Sequence, residues 1–173
     1  MNMFSKNIKL VLAALCIGYS SYLFYDNYIG NGILLFSLSG LFILLYFKNE
    51  IIFLAFLRLR KQDFNGTAKW LSRISRPESS LVRKQQGYFN YMQGILESQK
   101  NLTKAEKFFK KALQLGLSMK HDQAMAKMSL AGILMQKRRK REAQQLLQEA
   151  KKIDKHGMLT SQMKLMQQQM KKI

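Results

Sequence analysis

Five consecutive cations, Lys137, Arg138, Arg139, Lys140 and Arg141, form the densest charge run in this sequence. Such a run can neutralise RNA phosphates, pair with an acidic protein or rest on anionic lipid headgroups, because each of these presents closely spaced negative charge. It can equally be the solvated turn of a helical protein. The two histidines, His121 and His156, each stand near a turn in the company of lysine and aspartate. No matching Cys/His/carboxylate cluster has metal-ligand spacing, so both read as solvated or capping side chains and no cofactor is expected. Glycine-rich phosphate loops, Ser/His/Asp triads and spaced catalytic carboxylates are not found either. The residues therefore point to binding rather than catalysis, and the chain is not expected to be an enzyme.

Cys16 is the only cysteine, which excludes an intramolecular disulfide and a cysteine-based zinc site. The segment Leu-Ala-Ala-Leu-Cys that ends at Cys16 resembles a bacterial lipobox, but Leu15 occupies the place where a small residue is needed. Packing within an apolar run is the reading that remains.

The elements that must position these residues are helices. The chain has 173 residues and a net charge of +19, and nearly all of the charge excess lies beyond residue 47. That later part is rich in Lys, Gln, Leu, Met and Ala, with Pro77 as the only proline, and it lacks the Val/Ile/Thr alternation of strands. The earlier part holds two apolar runs, IKLVLAALCIGYSSYLFY over residues 8–25 and ILLFSLSGLFILLYF over residues 33–47, separated by a short loop ending in IGNG. A helix of the first run's length would cover about 27 Å at ~1.5 Å per residue, so a two-helix transmembrane hairpin is expected over residues 1–48. A cleaved signal peptide fits less well, since no A-x-A-like site follows and a second run comes at once.

Lys6 precedes the first run and Lys9 stands at its start, the loop has no basic residue, and Lys48, Arg58, Arg60 and Lys61 follow the second. The expected topology is then an integral protein of a bacterial inner membrane with both termini cytoplasmic and the lipid bilayer as one partner. If the second span ran straight into the following helix, Arg76, Arg83, Lys84, Lys120, Lys151, Lys152 and Lys155 would lie toward anionic headgroups.

A nearly repeated sentence follows: GILESQKNLTKAEKFFKKAL from Gly94 and GILMQKRRKREAQQLLQEAK from Gly132, 38 residues apart. The offset aligns Met92 with Leu130, Ala105 with Ala143, Phe109 with Leu147 and Ala112 with Ala150. Stepping back by the same offset finds Leu54, Leu57, Phe64, Thr67, Leu71 and Ile74 at the matching places. Within each unit the apolar and small residues keep helical spacing on two segments joined by a polar turn. Neither helix can bury its stripe alone, so stacked antiparallel pairs are expected over residues 49–157. From Met158 on, Leu159, Met163, Met166, Met170 and Ile173 alternate spacings of four and three. Residues 158–173 are expected to form an amphipathic helix that caps the last pair.

At Ala105-x3-Phe109-x2-Ala112 and Ala143-x3-Leu147-x2-Ala150 the chain resembles the tetratricopeptide repeat (TPR) family. The period departs from the family's, 38 against about 34 residues, and the extra residues fall around GLSMKHD at 116–122. No proline closes either of the last two units. The resemblance implies an all-α solenoid of about three hairpins whose first helices line a concave protein-binding face. Carried over, that face holds Asn90, Gly94, Glu97, Met128, Gly132, Met135 and Gln136, with Met128 and Met135 alternatively core and the glycines alternatively close-approach positions. A membrane-anchored adaptor or scaffold for a protein partner is the function implied. The alternative is a basic solenoid associating with RNA, a ribosome or anionic lipid through residues 137–141. Single-strand readers combine basic grooves with exposed aromatics, whereas Tyr88, Phe89, Tyr91, Phe108 and Phe109 sit mostly at core spacing and leave only Tyr88 or Phe108 for stacking.

Overall fold

A computed structural model describes residues 6–47 and 50–172 of the chain. Lys48, Asn49 and Ile173, to which the sequence assigned a flank, a boundary and the end of a stripe, lie outside the described residues. The fold is all-α, with ten helices and no strand among the described residues. Helices α1 (Lys6–Tyr25) and α2 (Ile29–Phe47) pack on each other as a hairpin. Next come α3 (Glu50–Arg60), α4 (Phe64–Leu71), the short α5 (Pro77–Ser80), α6 (Arg83–Ser98), α7 (Leu102–Leu115), α8 (Lys120–Gln136), α9 (Lys140–Ile153) and α10 (Thr160–Lys172).

The expected transmembrane hairpin does not hold. Among the described residues no helix is long and apolar enough to cross a membrane. In α1 the apolar run is broken by Gly18-Tyr19-Ser20-Ser21-Tyr22, and α2 opens on Gly30-Asn31-Gly32. Polar groups also hold the hairpin together: Ser20, 1 % exposed, donates to the Gly32 carbonyl oxygen at 2.9 Å across the two helices. The apolar residues after Glu50 belong to a separate helix, α3. The integral-membrane localisation inferred from the two runs is corrected accordingly, and the orientation argued from flanking lysines falls with it. The hairpin leaves Leu10, Val11, Leu15, Ile33, Leu34 and Phe36 exposed.

From α3 onward the helices pack in pairs, α3 with α4, α6 with α7 and α8 with α9, and successive pairs touch through α3–α6, α4–α6 and α7–α8. The 38-residue period is visible as burial. Thr67, Ala105 and Ala143 are buried at one equivalent place, Leu71, Phe109 and Leu147 at the next, and Ile74, Ala112 and Ala150 at the third. In the last two pairs small residues let the second helix approach the first, and one large residue fills the space between them. Gly87 lets α6 come close to the end of α7, since a Cβ there would run into the carbonyl oxygen of Gly116.

Local signals set the ends of these helices. The Asn101 side chain accepts from the backbone N–H of Thr103 and Lys104 at 3.0 Å, capping α7. Asp63 caps α4 by accepting from Gly66 N at 2.7 Å. Gly116 ends α7 at φ +87°, a conformation open to glycine, and the inserted residues 116–119 carry the chain to α8. The first pair is shorter: α4 stops at Leu71, and Pro77 opens α5 at its first turn. At the other end α10 packs on α9 and α8; its Met163 and Met170 are buried, as is Leu159 just before it.

Candidate partner-binding surface

The residues expected to line a concave face divide between surface and core. Asn90 is buried, and its side-chain amide donates to the Gln86 carbonyl oxygen at 2.7 Å within α6. Gly94 is buried against Phe109, whose ring a Cβ would meet at 3.1 Å, so this glycine makes room for the large core residue of its own pair. Met128 and Met135 belong to the core cluster. Gly132 is half-buried, and a Cβ there would make only ordinary contact with the Met166 methyl. Glu97 is half-exposed at the end of α6, and Gln136 is exposed at the end of α8. A partner would therefore meet Glu97, Gly132 and Gln136, with the other four acting from beneath.

Lys137, Arg138 and Arg139 form the turn between α8 and α9, with Arg138 in the left-handed region at φ 59°, and Lys140 and Arg141 begin α9. Its members have different tasks. Glu106, on α7 and 7 % exposed, receives Lys137 at 2.8 Å, Arg139 at 2.6 Å and, from its own helix, Lys110 at 2.7 Å. Arg139 also reaches Glu142 with a second pair of nitrogens at 2.7 and 2.6 Å. Burial raises the Glu106 pKa, but the hydrogen bonds from Lys110, Lys137 and Arg139 outweigh it and hold the carboxyl down at about 2. The hydrogen bonds to Glu142 first, and to Glu106 second, raise the guanidinium pKa. Lys137 and Arg139 thus fasten the last pair to the middle one. Arg138, Lys140 and Arg141 are the exposed members of the run.

Glu106 was not among the residues that sequence reasoning selected. One sequence signal marks it: the positions 38 residues before and after are Ala68 and Gln144, so an acid stands at this place in the middle unit alone.

A second polar lock joins α6 to α8. The Tyr88 hydroxyl donates to Asp122 at 2.6 Å and accepts from Met119 N at 3.4 Å, while its ring meets Phe56 of α3 edge-on at a centroid distance of 5.5 Å. Burial first, and the Asp122 carboxylate second, push the phenol up to about 12. Tyr88 is therefore engaged with two other helices and is not a free stacking platform. Tyr88→Phe should cost about 1–3 kcal/mol, because it leaves the buried Asp122 carboxylate without this donor. Urea denaturation of the two proteins measures it, and equal midpoints would show that the hydroxyl contributes nothing. His121 also departs from the solvated reading, since its Nδ1 is buried without a hydrogen-bond partner.

Between α7 and α9 lies a shallow groove floored by Leu130 and Leu134 and walled by Leu113 and Leu146, with Glu142 and Glu149 on its rim. Both acids are engaged, Glu142 with Arg139 and Glu149 with Lys127. No group of three or more His, Cys, Asp or Glu able to hold a metal ion occurs among the described residues. In comparisons with protein families, curated proteins and solved structures, nothing matches the chain.

Proposed function

We propose that this protein is an adaptor of the TPR type, whose stacked helical pairs present a rigid surface to a protein partner. One observation carries the reading. The same three positions are buried in three successive pairs at a 38-residue spacing, and the last two pairs are joined by Tyr88–Asp122 and by Glu106 with Lys137 and Arg139. Such a stack is rigid and extended, which suits recognition along a surface. Its recognition positions are the exposed Gln136 and the partly exposed Glu97 and Gly132.

A photo-crosslinking side chain placed at Glu97 or Gln136 should give one discrete protein adduct in cells. The same group at the exposed Gln114 or Gln148, on α7 and α9, should not. Glu97→Arg combined with a crosslinker at Gln136 should lose the adduct while helicity is kept. Adducts of equal yield at all four positions, or none at any, would overturn the assignment. Met135→Glu is unsuitable as a probe because that side chain is 7 % exposed and sits in the core.

The exposure of Arg138, Lys140 and Arg141 supports a second reading, association with RNA through phosphate neutralisation. Replacing these three by Gln should reduce RNA recovered after crosslinking, and the loss should parallel the effect of added salt. Unchanged recovery would leave the turn as a solvated connection.

A further inference from the structure

We infer that the chain associates with a second copy of itself through the outer face of α3, the two helices running antiparallel about a two-fold axis level with Ala55. The two ends of the stack are finished differently. At the C-terminal end α10 packs on the last pair with Met163 and Met170 buried, and Leu159 just before it is buried too. At the other end α3 buries Ile51, Ile52 and Ala55 against its neighbours, while Phe53 stays 58 % exposed and Leu57 39 % exposed on the opposite side. An apolar stripe on the terminal helix of a stacked core is a surface that stacking ordinarily covers.

The charges at the ends of this stripe select its occupant. Glu50, Phe53, Leu57 and Arg60 alternate spacings of three and four and so share one helix face. In an antiparallel pair centred on Ala55, Phe53 of each copy meets Leu57 of the other, and Glu50 of each meets Arg60 of the other. A parallel pair would set Glu50 against Glu50 and Arg60 against Arg60. The same patch on both copies, complementary to itself, is the isologous arrangement of two-fold dimers. Because α3 is only about 16 Å long at ~1.5 Å per residue, the contact lies at the small end of specific interfaces and the association is weak and reversible.

The full-length chain should show a concentration-dependent monomer–dimer equilibrium in sedimentation. Leu57→Glu should weaken it about tenfold or more with helicity unchanged, since Leu57 is already partly exposed. Glu50→Arg and Arg60→Glu should each weaken it, and the combined E50R/R60E chain should recover the parent's association. That recovery is specific to a contact between the two positions, which are too far apart on one helix to meet within a copy. A chain that stays monomeric, a dimer indifferent to Leu57→Glu, or a double exchange no stronger than the single changes would each overturn the proposal. If Leu57→Glu lost helicity, the charge exchange alone would decide.

Discussion

Phe109→Ala should lower the unfolding free energy by about 3–5 kcal/mol, the range for emptying a large aromatic site in a core. The ring is 1 % exposed, meets Tyr91 edge-on at a centroid distance of 6.0 Å, and lies beneath Gly94. Its neighbours one turn away on α7 are Ala105 and Ala112, both fully buried. None of these small residues can extend into the vacated space, so collapse is restricted and the upper part of the range applies. Phe108→Ala, on the same helix at a half-buried position, should cost far less. Chemical denaturation followed by circular dichroism compares the two. Equal losses would mean that the repeat does not place its large core residue at 109.

Glu106→Gln should cost about 1–3 kcal/mol near neutral pH. The figure is kept low because Lys110 and Arg139 are 52 % and 37 % exposed at their side chains, and solvent screens their share of the network. Folding lowers this carboxyl from an ordinary 4.5 to about 2. Its contribution is therefore fully present above pH 4.5 and is lost as the pH falls toward 2. The stability difference between the parent and Glu106→Gln should accordingly shrink over that window and approach the neutral-pH value at higher pH. A difference that does not change with pH would show that the cations do not act through the charge.

The same substitution bears on the basic turn. Releasing Lys137 from Glu106 adds one available cation, while Arg139 stays held by Glu142. If residues 137–141 bind a polyanion, Glu106→Gln should tighten that binding. If the turn is solvated, binding should not respond.

The sequence by itself determined the helical class and the pairing of helices. A residue's burial within an amphipathic helix follows from its spacing, because the 3.6-residue turn fixes which side chains share a face. This is why Thr67, Ala105 and Ala143, aligned by counting, are all found buried, and why the stripe from Leu159 to Met170 turns inward. The same counting could not separate Met128 and Met135 from the surface, since α8 is covered on several sides by α7, α9 and α10, and the number of neighbours a helix acquires is not written in its own period. Nor did apolar composition over residues 8–47 establish a membrane span. Interruptions by glycine and serine limit the apolar length that each helix presents. Only the tertiary structure decided the roles of the charges. Lys137 and Arg139 look identical to Arg138, Lys140 and Arg141 in a sequence, but Glu106 lies 31 and 33 residues from them. Coulomb attraction acts through space, and which of five neighbouring cations it reaches was fixed when the α8–α9 turn was brought to α7.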